Sequence, residues 1–212
     1  MKIDSIIFDL DGTLWDSTET VSESWSKTLA EHCGPVKKIS PEDVAGIMGL
    51  TGPEIAEKLF SGFGEKRFEV CELCLSEEPA YIAVHGGIIY SGVEEMLAAL
   101  SERYPLFIVS NCQKGYIESF LHYSGYGKYF LDFECEGNTG LGKADNIRLL
   151  RERRQLENPV YVGDTAGDEK SAMQSGCEFI HAAYGFGRAI APIASIGSPA
   201  ELEGVLKILK GE

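Results

Sequence analysis

From Pro105 onward the sequence alternates short apolar runs with helix-length amphipathic segments, a rhythm that few folds can absorb. "PLFIVSN", "YFLDFECE", "PVYVGD" and "CEFIHAA" read as strands. "GYIESFLHYSG", "GKADNIRLLRERRQ" and "GDEKSAMQSG" read as the helices between them, and "SPAELEGVLKIL" as a closing helix. "SGVEEMLAALSERY" leads into the series with Val93, Met96 and Leu100 on one face. Apolar strands joined by helical crossovers build a parallel sheet covered on both faces. The run Ile6-Ile7-Phe8 near the start reads as one more strand. After it the chain turns helical. Asp16-x-x-Glu19 or Ser17 can cap a helix running to about His32, where Gly34-Pro35 stops it. Ser40-Pro41 opens a second helix, and "GPEIAEKLFSGFG" and "EKRFEVCELCLSEEPAYIAV" supply two more. The expected architecture is α/β: a Rossmann-like parallel-sheet core of residues 1–16 and 86–212, with an all-helical module of residues 17–85 inserted after the first strand.

Charge narrows the partners. The 212 residues include 33 acidic against 19 basic side chains, a formal charge of −14, which disfavours a nucleic-acid polymer or an anionic membrane. No apolar stretch approaches the ~20 residues of a membrane span. The N-terminal apolar run is bracketed by Asp4 and Asp9, unlike a signal peptide. Of six cysteines only Cys71 and Cys74 lie close together, without a second pair or nearby histidines, so they read as helix thiols and not as a zinc site. Reduced cysteines and a cytoplasmic location fit best. Oligomeric state is not legible.

In open α/β sheets ligands bind beyond the carboxyl ends of the strands, and the polar clusters fall there. The first strand ends in Asp9 and Asp11, followed by Gly12-Thr13. If the strand persists, the two carboxylates share a face and repel each other. "LFIVSN" ends in Ser110 and Asn111, and "VYVGDTAGD" in Asp164 with Asp168 four residues on. Lys143 stands at a helix entrance. Singly, each has a plain structural explanation: Ser-Asn as a turn, Gly-Lys as a helix start, "GDTAGD" as a helix cap. Together they compose a site for Mg²⁺ and a phosphoryl group. Hard oxygen ligands suit Mg²⁺, while lysine, hydroxyl and amide offset phosphoryl charge. One carboxylate can attack phosphorus, and a second can serve as general acid and base.

These motifs, in this order, resemble the haloacid dehalogenase superfamily, in its phosphoglycolate-phosphatase-like branch with a helical cap. "DLDGT", "VSN", the lysine of "GKAD" and "GDTAGD" are similar to that family's four motifs, and the likeness spans the chain. The resemblance implies Asp9 as nucleophile and Asp11 as general acid/base. It implies Mg²⁺ held by the Asp9 carboxylate, the Asp11 backbone carbonyl and Asp164, with Asp168 completing or orienting the site. It gives Ser110 and Lys143 the phosphoryl group, with Asn111 beside them, and makes residues 17–85 a mobile cap. The expected activity is Mg²⁺-dependent hydrolysis of a small phosphate ester: a phosphoglycolate-like acid, a sugar phosphate or a nucleotide.

Two other readings compete. In the family's dehalogenating members an acid is missing at the position of Asp11, so its presence favours phosphoryl chemistry. Sugar-phosphate mutases of the branch carry a basic residue in the cap loop, whereas "MGLTGPE" has no Arg or Lys before Lys58. A non-enzymatic receiver-like module would also combine a phospho-accepting Asp with Mg²⁺, but not with an Asp-x-Asp pair on the first strand and an inserted helical cap. Among other polar residues, Lys114 reads as solvated and Trp15 as hinge packing or pocket lining. The histidines at 32, 85, 122 and 181 are dispersed, and Arg188 has no assigned role. His85-Gly86-Gly87 falls where a second hinge is expected.

Overall fold

A computed structural model describes residues 1–36 and 38–211. The chain enters through β1 (Ser5–Phe8), all four of whose residues are buried, and reaches the two-residue β2 (Trp15–Asp16). Four helices follow: α1 (Thr18–His32), α2 (Pro41–Ala45), α3 (Gly52–Leu59) and α4 (Arg67–His85), with a 3-10 turn over Ser61–Lys66. Then come β3 (Ile88–Ile89), α5 (Val93–Ser101), β4 (Leu106–Ser110), α6 (Tyr116–Ser124) and β5 (Phe130–Cys135). The single turn α7 (Glu136–Thr139) precedes α8 (Lys143–Arg154), β6 (Pro159–Gly163) and α9 (Ala166–Gln174). β7 (Glu178–Ala182), β8 (Ala194–Ile196) and α10 (Leu202–Lys210) close the chain.

Six strands form one parallel sheet in the order β5-β4-β1-β6-β7-β8. β1 lies inside it, with Ile7 between Phe107 and Tyr161. From β1 the sheet grows in opposite directions, through β4 and β5 on one side and through β6, β7 and β8 on the other. That makes the end of β1 the switch point where such sheets open a crevice. The α/β reading of the sequence therefore holds. Two features escaped it. β8 is only three residues long and carries no periodicity. β2 and β3 pair antiparallel as a separate two-stranded ribbon, Trp15 opposite Ile89 and Asp16 opposite Ile88, too short to signal in sequence.

Among the described residues between this ribbon's two strands there are helices and turns but no strand. Caps set their starts. Ser40 and Asp43 form a reciprocal capping box at α2, as do Thr51 and Glu54 at α3. At α1 the sequence leaves Asp16 and Ser17 as rival caps, and Asp16 prevails: its Oδ1 accepts from the Thr18 backbone N–H at 2.9 Å and from the Thr18 hydroxyl at 2.6 Å. The Ser17 hydroxyl is engaged elsewhere. The glycines expected to bend at 86 and 87 serve close packing. A Cβ on Gly86, at φ +67°, would fall 2.1 Å from the Tyr123 ring, and one on Gly87 would fall 2.8 Å from the Asp16 carbonyl. The ribbon thus closes tightly where the chain leaves and re-enters the sheet.

Ile7 is fully buried in the second of the two apolar clusters, with Phe107, Val109, Ile147 and Tyr161. Ile7→Ala is expected to lower unfolding stability by about 2–5 kcal/mol in urea titration, with the denaturant slope unchanged.

Candidate active site

β1 ends at Phe8, so the strand does not carry its alternation through Asp9 and Asp11. The Asp9 N–H still bonds to the Val162 carbonyl at 2.8 Å, but the chain then folds into a tight turn, with the Leu14 N–H on the Leu10 carbonyl at 2.8 Å. Gly12 adopts φ +79°, and a Cβ there would lie 2.3 Å from Asp164 Oδ2. Only glycine lets this turn pass so close to the end of β6. The turn gives the two carboxylates different surroundings, which dissolves the like-charge conflict that a continued strand would create.

Asp9 belongs to a buried cluster with Asp164 and Asp168, in which one ligand oxygen from each lies within 4.8 Å of the others. Lys143, the first residue of α8 and almost fully buried, inserts its Nζ 2.9 Å from Asp9 Oδ1 and 2.5 Å from Asp168 Oδ1. Burial disfavours the lysine's charge, yet Asp168 and Asp9 outweigh it and hold the ammonium protonated well beyond its usual range. Burial and the neighbouring Asp168 raise Asp9 well above an ordinary carboxylate, and Lys143 only partly offsets them. Asp164 is pushed up to about 7 by burial and by Asp168.

With all three carboxylates ionised, the single ammonium leaves two negative charges without a counter-charge. Asp164 Oδ2 accepts from the Phe186 N–H at 2.7 Å and the Gly187 N–H at 3.3 Å, whereas its Oδ1 is buried with no hydrogen-bond partner. An orphaned carboxylate oxygen in a cluster of net charge −2 is the donor set a hard divalent cation completes. Asp9 and Asp164 could hold it. Asp168 has both oxygens occupied: Oδ1 takes Lys143, and Oδ2 takes the Thr165 N–H at 2.9 Å and the Thr165 hydroxyl at 2.7 Å in a capping box that opens α9. The helix-cap reading and the site reading of "GDTAGD" are both met, on separate oxygens.

Asp11 stands apart from that cluster. Its Oδ1 accepts three hydrogen bonds, from Trp15 Nε1 at 3.0 Å, Ser17 Oγ at 2.6 Å and Tyr116 OH at 2.8 Å. Burial raises its pKa, and Ser17, Tyr116 and Trp15 oppose the rise. All three donors sit on one oxygen, leaving Oδ2 as the atom for a proton. Trp15 is therefore a positioning residue packed edge-on against Tyr116 and Phe120. Tyr116 was not legible from sequence, because nothing local links it to a residue 105 positions earlier.

Asp11, Ser110 and Asn111 line one pocket, whose opposite wall comes from α1 to α4 and the loop between α2 and α3. Asn111 does not join the carboxylate cluster: its Nδ2 donates to the Gly49 carbonyl at 2.9 Å, and its Oδ1 is buried without a partner. The loop "MGLTGPE" therefore lies over the site, touching Asn111. Glu78 of α4 is a second residue the sequence hid inside an acidic helix. It is buried in this pocket, receives the Trp25 indole N–H, and is raised to about 8 by burial. Lys114 and Arg188 are exposed. Cys71 and Cys74 are buried free thiols, Cys71 pushed up to about 12 by burial, and all six cysteines are free.

Residues 6–182 match the family model of the haloacid dehalogenase-like hydrolases, and the chain belongs to that family. It is an enzyme of this hydrolase class, as its motifs indicated. A phosphoglycolate phosphatase of Photobacterium profundum is 28% identical over 85% of this chain and 83% of its own length. A 5'-nucleotidase of Pseudomonas aeruginosa is 26% identical over 88% of this chain and 86% of its own. In fold, the chain is similar to a haloacid dehalogenase-like hydrolase from Streptococcus pneumoniae, with a TM-score of 0.83 at 23% identity, covering 96% of this chain and 98% of the other. No helix among the described residues is long and apolar enough to cross a membrane.

Because folded Glu78 keeps a proton that an unfolded carboxyl releases, the stability it contributes is complete below about pH 4.5 and is lost as pH rises toward about 8. Thermal melts of Glu78→Gln are expected to decline less between those limits than wild-type melts, by at most ~1.4 kcal/mol per pH unit.

Proposed function

We propose that the protein is a Mg²⁺-dependent phosphatase that hydrolyses small phosphate esters through an aspartyl-phosphate at Asp9. The carrying observation is the buried trio Asp9, Asp164 and Asp168 around Lys143, with an unpartnered Asp164 oxygen beside it. Phosphatase names among relatives that align over most of their length support the same reading.

In this scheme Asp9 and Asp164, with the Asp11 backbone carbonyl, would hold the metal, and Asp168 orients Lys143 and completes the charge balance. A Mg²⁺ ion held there would supply positive charge to offset these carboxylates and the phosphoryl oxygens. Lys143 fixes Asp9 through one oxygen, leaving the other for attack on phosphorus. As that bond forms, the ester P–O bond breaks and Asp11 Oδ2 gives its proton to the leaving oxygen. Asp11, now ionised, then takes a proton from water, which attacks phosphorus and restores Asp9 with release of inorganic phosphate. The raised Asp11 pKa and its one-sided hydrogen bonding suit the first half of this cycle. Ser110 stands where a strand end meets the pocket, suited to bind phosphoryl oxygens, with Asn111 beside it and its amide also reaching the Gly49 carbonyl. Residues 17–85 act as a cap hinged at the β2–β3 ribbon, excluding water when closed. The free cysteines agree with a cytoplasmic setting.

The phosphatase reading is preferred to a mutase because, among the described residues, no lysine or arginine lines the pocket to hold a second phosphate.

Release of inorganic phosphate from an ester panel tests the reading. Asp9→Asn is expected to fall to background. Asp11→Asn is expected to retain the fold and lose roughly 10²–10⁴ in kcat. Activity that survives Asp9→Asn overturns the scheme. A chelator is expected to abolish turnover and Mg²⁺ to restore it. Mg²⁺ alone should also raise the melting temperature, an increase that Asp164→Asn removes.

A further inference from the structure

Between β7 and β8 the chain crosses the strand ends as a strap, residues 183–193. Its first half lies against the β1 turn and Asp164. The Tyr184 hydroxyl donates to the Thr13 carbonyl at 2.8 Å, and the Phe186 and Gly187 N–H groups hold Asp164 Oδ2. The approach leaves no room for a side chain: a Cβ on Gly185 would fall 2.3 Å from the Gly12 carbonyl oxygen. The second half is tied differently. Ile190 is 86% exposed, so its side chain anchors nothing. Its N–H is held instead by Glu169 Oε2 at 2.7 Å, and the Ala191 N–H by Glu169 Oε1 at 2.6 Å.

Glu169 stands in the first turn of α9, directly after Asp168, and is only 4% exposed. The helix dipole accounts for an acid at that place, but not for its burial or for bonds made to a distant segment. Both of its oxygens are satisfied by backbone 21 and 22 residues further on. Consecutive acids thus have separate tasks. Asp168 grips Lys143 and Thr165, while Glu169 grips the strap.

The consequence falls on Asp164. Its carboxylate takes its hydrogen bonds from the strap, and it lies in one cluster with the like-charged Asp9 and Asp168. Released from those N–H groups, it would turn away from its neighbours, and a hard cation would lose a preformed ligand. We propose that Glu169 is a positioning residue for the cation site: by gripping Ile190 and Ala191 it keeps the strap on Asp164 Oδ2 and leaves Oδ1 for a divalent cation. The proposal rests on the Mg²⁺-dependent reading of the site and deepens it.

Calorimetric titration with Mg²⁺ alone, without any ester, reads the clamp directly. Glu169→Ala removes both acceptors and is expected to raise the Mg²⁺ dissociation constant about tenfold or more, the scale on which partners of metal ligands act. Glu169→Gln keeps the shape and one neutral acceptor, and should fall between, at about threefold. In ester hydrolysis the half-saturating Mg²⁺ concentration should rise by the same factors, with KM for the ester constant and turnover recovering at high Mg²⁺. A residue that serves folding alone would lower the melting temperature and leave the Mg²⁺ constant at its wild-type value. That result overturns the proposal and leaves the phosphatase reading intact. A wild-type protein that neither binds Mg²⁺ nor needs it for hydrolysis overturns both. Should Glu169→Ala fail to fold, Ile190→Pro decides. It deletes one of the two donors at an exposed position with Glu169 intact, and an unaltered Mg²⁺ constant in that protein likewise overturns the proposal.

Discussion

The Lys143 ammonium between Asp9 and Asp168 is the contact on which the rest of the site depends. Breaking a buried ion pair by removing one partner leaves an uncompensated charge that costs several kcal/mol, so each of these side chains fixes the others. Lys143 is also a structural tie. It begins α8, Asp9 follows β1, and Asp168 lies in the first turn of α9, so one ammonium joins three crossovers of the parallel sheet. The carboxylate excess that this lysine does not cancel is what prepares the site for a divalent cation. Apolar side chains of similar size would pack as well, but would leave no demand for metal or phosphate.

The two aspartates of the first motif show how backbone geometry assigns different chemistry to identical side chains. A continued strand would set them side by side as repelling charges. The turn at Gly12 separates them instead, one toward Lys143 and the other toward a neutral ring of Trp15, Ser17 and Tyr116. Asp9 thus sits with a full cation and Asp11 only with dipoles. Such a contrast of environments is how a pair of carboxyl groups divides into a nucleophile and a proton carrier.

Strand periodicity and strand-end motifs made the parallel sheet, Asp9, Asp164, Asp168 and Lys143 legible before any coordinates, because local pattern and burial specify them. Tyr116 and Glu78 were not legible, since each acts through contacts with residues tens of positions away that no local pattern encodes. Ser17 was visible only as a rival helix cap. It lost that role to Asp16 because its hydroxyl is drawn to Asp11. Asn111 was grouped with the phosphoryl ligands by its place in "VSN", yet its amide bridges to Gly49 of the overlying loop. The motif marks the strand end but does not say which way the side chain turns.

These long-range contacts join the strand-end residues to the helices that cover them. Asn111 and Gln113 follow β4, the strand beside β1, so the loop that presents Ser110 also forms the floor of the leaving-group pocket. Glu78 faces it from α4, whose main helical partners are α1 and α6.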